Sequence, residues 1–61
     1  MVMKEYYAPN RIIAQKIITI IQNNNGFNIK VTSHNPSFTI SCIFPSRAVA
    51  ILATTYINKL C

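Results

Sequence analysis

The spacing of apolar residues predicts a helix in the first half of the chain. After Pro9, apolar residues recur at intervals of three and four up to the segment Asn23–Gly26, which is the period of an amphipathic helix. Pro9 suits the first turn of this helix, and the asparagines and glycine suit its end. The side that would face a core carries Ile13, Ala14, Ile17, Ile18, Ile20 and Ile21. Ile12 is an exception, because it projects from the polar side.

The next segment predicts a β-hairpin, because the period of the pattern changes to two. Two alternating runs flank a turn at residues 35–37, where Pro36 and its neighbours have turn chemistry. The face expected to be covered carries Phe27, Ile29, Val31, Phe38, Ile40 and Cys42. The opposite face would then be polar, mildly basic and free of aromatic residues, with Asn28, Lys30, Thr32, Thr39, Ser41 and Ile43. A sheet face without aromatic residues argues against binding of single-stranded nucleic acid.

A second helix is predicted from Ser46 to the C-terminus, since a serine hydroxyl there can accept from the free amides of the first turn. Its core side would carry Val49, Ala50, Leu52, Ala53, Tyr56, Ile57 and Leu60. Residues 1–8 form either a short extra strand or a flexible arm, since their pattern is mixed. The expected fold is therefore α+β, a single domain over residues 1–61 in the order helix, β-hairpin, helix (αββα).

The high content of hydrophobic residues and the low content of charged residues predict that the chain associates with itself. Hydrophobic residues make up 51% of the 61 residues and charged residues 11%, whereas about 25% is usual for charged residues in a soluble domain. A chain this short rarely builds a sufficient core alone. We expect a homodimer, formed either through strand edges or through helix faces. Pairing two hairpins across a two-fold axis would close an exposed strand edge on each copy.

The net charge of +5 favours an acidic or polyanionic partner. No apolar run is long enough to cross a membrane and no secretory leader is evident. The sequence therefore predicts a cytoplasmic protein without a membrane partner, and its two cysteines are expected to be reduced.

This chain has few side chains that could act as a general acid or base: one histidine, one glutamate and no aspartate. His34 at the hairpin turn and Cys42 on the covered face are too far apart to act together. We therefore expect no enzyme activity, no catalytic residues, no metal site, no cofactor and no small-molecule substrate. Cys42 is expected to be a small buried apolar residue, and Cys61 could bridge to Cys42 or to a second copy.

Two candidate binding sites lie on the second helix. Its first turn, with the hydroxyl of Ser46 and the cation of Arg47, suits a phosphate or carboxylate; the alternative is that Ser46 caps the helix and Arg47 is solvated. A stripe at helical spacing mixes a cation, hydrogen-bonding groups and one apolar residue, as partner-binding surfaces do. The stripe consists of Arg47, Ile51, Thr54, Thr55 and Asn58. An ordinary solvated helix face with one exposed isoleucine has the same composition.

These observations favour a small non-enzymatic interaction protein that binds and occludes a larger protein or nucleoprotein. Ile12, Ile43 and Ile51 support this function, because they lie off the predicted core faces. Small chains without catalytic groups are common among phage and mobile-element inhibitors of host machinery, anti-CRISPR proteins included. The alternative is a small basic protein that binds double-stranded nucleic acid. A membrane-seeking peptide is a third class, disfavoured by the turn and hairpin signals.

Overall fold

A three-stranded antiparallel sheet with both helices on one side forms the fold. The computed structural model describes residues 1–60. The elements in chain order are β1 (Val2–Ala8), α1 (Arg11–Asn23), β2 (Phe27–Ser33), β3 (Phe38–Phe44) and α2 (Arg47–Asn58). The strand order in the sheet is β1-β3-β2. The α+β class is confirmed.

Strand β1 changes the predicted element order. It pairs with β3 along its whole length, from Val2 opposite Phe44 to Ala8 opposite Phe38, so the order is βαββα and not αββα. The pattern of β1 hid the strand, because Lys4 lies on the helix side of the sheet while the apolar Met3 lies on the opposite side. Since β1 occupies the free side of β3, two hairpins cannot pair through β3, and the exposed edges belong to β1 and β2.

The core lies between the sheet and the helices. The predicted core side of α1 is confirmed, because Ala14, Ile17 and Ile21 are buried and the other three residues of that side pack against the core. From β3, every second residue is buried, and α2 contributes mainly small residues. The buried core residues are Ala8, Ala14, Ile17, Ile21, Ile40, Cys42, Phe44, Ala50, Ala53 and Ile57.

Side chains cap both helices at their first turns. Asn10 Oδ1 accepts a hydrogen bond from the Ile13 amide at 2.9 Å, so α1 begins two residues after Pro9. Ser46 Oγ accepts from the Val49 amide at 3.3 Å, which confirms the predicted cap of α2.

The end of α1 folds back closely onto the core. Asn25 adopts a left-handed backbone conformation with φ of 62°, and the Gly26 amide donates to the Ile21 carbonyl at 2.8 Å. A Cβ atom at Gly26 would collide with Ile21 Cγ2 and lie 3.1 Å from the Phe44 ring. Glycine is therefore required here by the close approach of the chain to the core.

A β-bulge in β2 overturns the predicted position of Phe27. Phe27 lies opposite Ile43, but the next pair is Lys30 opposite Ser41, so β2 contains one extra residue at this point. Asn28 absorbs it with φ of 55°. Because each residue projects to the same side as its partner, Phe27 lies with Ile43 on the side away from the helices. The expectation that Phe27 belongs to the covered face is wrong.

Candidate interaction surfaces

The exposed side of α2 contains most of the predicted partner-binding stripe. Arg47, Ile51, Thr55 and Asn58 are all exposed, and Ile51 keeps 56% of its surface accessible. Thr54 does not lie with them: its hydroxyl is 2.7 Å from the Tyr6 hydroxyl in a partly buried hydrogen bond. Thr54 therefore attaches α2 to β1, and the exposed stripe consists of the other four residues.

Two larger apolar residues extend this surface beyond the prediction. Leu52 and Tyr56 were expected to face the core, yet they are 48% and 47% exposed. The buried residues of α2 are Ala50, Ala53 and Ile57, so the covered arc of the helix is narrower than the apolar pattern indicated. The separation of four residues between Leu52 and Tyr56 was a sequence signal that they share a side of the helix.

Lys59 completes the surface at its C-terminal end. Its Nζ atom lies 5.9 Å from the centroid of the Tyr56 ring, within the range of a cation–π contact. We use the term α2 surface for Arg47, Ile51, Leu52, Thr55, Tyr56, Asn58 and Lys59. This surface presents an aliphatic and aromatic centre with a cation at each end.

The first turn of α2 is the predicted anion site. Ser46 Oγ uses its acceptor capacity on the Val49 amide, and the first turn of the helix contains no acidic residue. Arg47 is exposed beside it. The cation thus adjoins free helix amides, an arrangement that a bound anion would stabilise.

The side of the sheet away from the helices is uncovered, and its side chains form three cross-strand rows. The strand register places Met3, Ile43 and Phe27 in the first row, Glu5, Ser41 and Lys30 in the second, and Tyr7, Thr39 and Thr32 in the third. We call these nine residues the outer sheet face. Met3 is 76% exposed, Tyr7 68% and Phe27 41%.

Two aromatic residues on this face overturn the prediction that it has none. Phe27 reaches it because of the bulge, and Tyr7 reaches it because residues 1–8 form a strand. A shallow hollow of about 70 Å³ lies on the same face, lined by residues that include Met3, Lys30 and Ile43. The outer sheet face is thus more apolar than the hairpin pattern alone indicated.

Charge is distributed unequally between the two sides of the molecule. The sequence has six cations and one acid, and the outer sheet face holds Glu5 and Lys30 in its middle row. The outer sheet face is therefore neutral. The remaining cations, which account for the net charge of +5, lie on the helix side: Lys4, Arg11, Lys16, Arg47 and Lys59.

The groups capable of acid–base or nucleophilic chemistry are separated in the fold. Burial raises the pKa of the Cys42 thiol, which keeps it protonated and unreactive. Burial also raises the pKa of Tyr6, and the hydrogen bond to Thr54 opposes this effect. His34 is exposed in the β2–β3 loop. Within residues 1–60, no three His, Cys, Asp or Glu side chains are grouped as metal ligands.

The predicted bridge through Cys61 lies outside the described residues. Within residues 1–60, neither helix has the length and apolar character needed to cross a membrane.

Comparisons with known proteins identify no relative of this chain. No protein-family model, no curated protein sequence and no solved structure matches the chain.

Proposed function

We propose that this chain is a non-enzymatic binding protein that acts by occluding an acidic surface of a larger protein or nucleoprotein. The α2 surface is the observation that supports this proposal best. A chain that binds stoichiometrically needs exposed anchor residues and not a catalytic group. Inhibitors of host machinery made by phages and mobile elements work in this way, and we place the protein in that class, acting in the cytoplasm.

The composition of the α2 surface is that of an interface centre with a polar rim. Ile51, Leu52 and Tyr56 are each about half exposed, although burying them would be favourable. Tyrosine and arginine are the residue types most often found among the energetically dominant residues of interfaces. Since Thr54 holds α2 against β1, these residues are presented from a fixed helix, which lowers the entropic cost of binding.

Charge defines the partner's chemistry. Arg47 and Lys59 lie at the two ends of α2, about 18 Å apart at 1.5 Å per residue. A partner complementary to this arrangement has an apolar groove with acidic groups at both ends. Such groups would also increase the rate of association, because the helix side as a whole is positive.

The test is retention of a partner from extracts of the source cells by immobilised wild-type protein and by Leu52→Ser and Tyr56→Ser variants. We expect one defined partner to be retained by the wild type and lost in both variants. Ile12→Ser is the matched control, because it removes an exposed isoleucine from α1 and not from the α2 surface. Equal retention by all four proteins would contradict the proposal.

Double-stranded nucleic acid is the second candidate partner, because the surplus cations lie on the helix side. The strand directions argue against this candidate. Strands β1 and β3 are antiparallel, so α1, which follows β1, and α2, which follows β3, begin at opposite ends of the sheet. Arg11 and Arg47 therefore do not combine into one basic ridge. Titration with short duplex DNA at several salt concentrations distinguishes the two functions. A duplex complex weakens steeply with salt, whereas an apolar protein interface responds weakly.

A further inference from the structure

We infer that the outer sheet face is a self-complementary interface that binds a second copy of this chain face to face. This inference concerns the side of the molecule opposite to the α2 surface, so it goes beyond the proposed function and does not depend on it. The two sheets would be related by a two-fold axis that runs between them, parallel to β3.

Charge complementarity selects this axis. A two-fold rotation about an axis parallel to β3 places β1 of one copy over β2 of the other and leaves each cross-strand row at its own level. Glu5 and Lys30 occupy the same row, on either side of Ser41. Each Glu5 would therefore lie over Lys30 of the second copy, and the operation generates this ion pair twice. The single acid of the sequence thus has a partner in the dimer.

The apolar row is self-complementary under the same rotation. Met3 of one copy would lie over Phe27 of the other, which allows a sulfur–aromatic contact, and Ile43 would meet its own symmetry mate. The third row would bring Tyr7 over Thr32. Sheets packed face to face cross at about 30° because of their twist, so the two-fold axis would lie about 15° from each copy of β3. This crossing angle displaces the Glu5 and Lys30 side chains only slightly from each other, because their row is the middle one and lies near the point about which the two sheets are rotated.

The perpendicular axis is unfavourable. A two-fold rotation about an axis across the strands places β1 over β1 and β2 over β2. Glu5 would then face the second Glu5, and Lys30 would face the second Lys30. Such pairs repel, and the apolar row would lie over Tyr7 and Thr32. The distribution of charge therefore specifies one orientation of the dimer.

Single-stranded nucleic acid suits this face less well than a second copy does. Tyr7 and Phe27 could stack with bases, but the face is neutral and Glu5 lies in its middle row. A polyanion needs cations along its path. The other five cations are not among the nine residues of this face, whereas a second copy brings a neutral surface to a neutral surface.

The small area of the outer sheet face predicts weak self-association. Three strands and three rows cover about 14 Å by 20 Å in projection, whereas each partner in a standard interface buries about 800 Å². We therefore expect a weak, reversible dimer, which dissociates on dilution.

The experiment is a charge exchange followed by sedimentation velocity over a range of protein concentrations. Glu5→Lys and Lys30→Glu each create two like-charge contacts in the dimer, so each should raise the Kd at least about tenfold. The double variant restores both ion pairs in reverse and keeps the net charge of the wild type, and it should recover the wild-type Kd. Lys16→Glu is the matched control, because it makes the same charge change as Lys30→Glu on the helix side and should leave the Kd unchanged.

Circular dichroism on each variant should show a folded monomer, because the substituted positions are exposed. A wild type that is monomeric at about 1 mM would overturn the inference, as would a double variant that fails to recover. Pairing through one strand edge would leave the Kd of at least one single variant unchanged, because Glu5 and Lys30 lie on different edge strands. This result would also overturn it. Binding of single-stranded oligonucleotides that is abolished by Tyr7→Ser would assign the face to nucleic acid instead.

Discussion

The two sides of the sheet differ in how completely they are covered. On the helix side, Ile40, Cys42 and Phe44 of β3 are buried beneath α1 and α2. On the other side, the residues that alternate with them in β3 are partly exposed, and the flanking Met3 and Tyr7 are mostly exposed. The same three strands therefore support a packed core on one side and a free surface on the other.

This difference separates stability from binding. Burial of apolar side chains on the helix side stabilises the monomer, because those side chains are removed from water during folding. Apolar side chains on the outer sheet face gain this stabilisation only when a second molecule covers them. Substitutions on the two sides should accordingly affect different measurements, and matched residues on opposite sides test this directly.

The largest expected effect comes from two phenylalanines in neighbouring strands. Phe44→Ala should lower the free energy of unfolding by about 3–5 kcal/mol, because a fully buried ring is lost and a cavity remains. Phe27→Ala should lower it by less, about 1–2 kcal/mol, because the bulge places this ring on the side without helices, where 41% of its surface stays exposed. Urea denaturation at a low protein concentration, where the expected weak dimer is dissociated, measures both. Equal losses would show that both sides are packed.

A smaller effect is expected where α1 ends against the sheet. Gly26→Ala should lower the free energy of unfolding by about 1–3 kcal/mol, because the new methyl group meets Ile21 Cγ2 and lies 2.9 Å from the Ile21 carbonyl oxygen. The carbonyl belongs to the helix backbone, so it cannot move aside easily. Thr32→Ala on the outer sheet face is the control and should change stability by less than about 0.5 kcal/mol. A neutral Gly26→Ala would refute the close approach.

The smallest expected effect distinguishes two adjacent tyrosines on opposite sides of β1. Tyr6→Phe should lower the free energy of unfolding by about 1 kcal/mol, since it removes the 2.7 Å hydrogen bond to Thr54. Tyr7→Phe should have no measurable effect on the monomer, because Tyr7 is largely exposed. Thermal unfolding followed by circular dichroism compares the two variants. A larger loss for Tyr7→Phe would reverse the assignment of sides.

The pH dependence of the free energy of unfolding is a second measurement that distinguishes Tyr6 from Tyr7. Burial raises the pKa of Tyr6 above its ordinary value of 10.0, so the folded state holds this proton at pH values where the unfolded state has lost it. Stability should therefore decrease as the pH rises from about 10 toward the raised pKa. Tyr6→Phe should remove this part of the decrease, whereas Tyr7→Phe should retain it. An unchanged slope in Tyr6→Phe would contradict the raised pKa.

The helices and the hairpin were predictable because their signals are local. Ile17 and Ile21 are one helical turn apart, and Ser46 precedes a helical pattern, so periodicity and capping sufficed. The pattern of β1 was not sufficient, because Lys4 projects toward the helix side while Met3 and Tyr7 project outward. An edge strand can place a long cationic side chain beside the core, since its charged end reaches water.

The binding surfaces were predictable only in part. Arg47, Ile51, Thr55 and Asn58 lie on the exposed side that the spacing indicated, but the spacing did not show that Thr54 would bond to Tyr6. Leu52 and Tyr56 were expected in the core, because the spacing of apolar residues does not show how much of the helix circumference the rest of the protein covers. In the structure the covered arc is limited to Ala50, Ala53 and Ile57.

The sequence by itself determined the α+β class, both helices, the hairpin and the burial of Cys42, because hydrophobic periodicity and capping act between residues close in the chain. Only the tertiary structure decided that β1 completes the sheet, that the bulge at Asn28 turns Phe27 outward, and that Glu5, Ser41 and Lys30 share one row. These features depend on strand register. Register is fixed by contacts between residues distant in the chain, and a shift of one residue reverses the side to which each side chain projects.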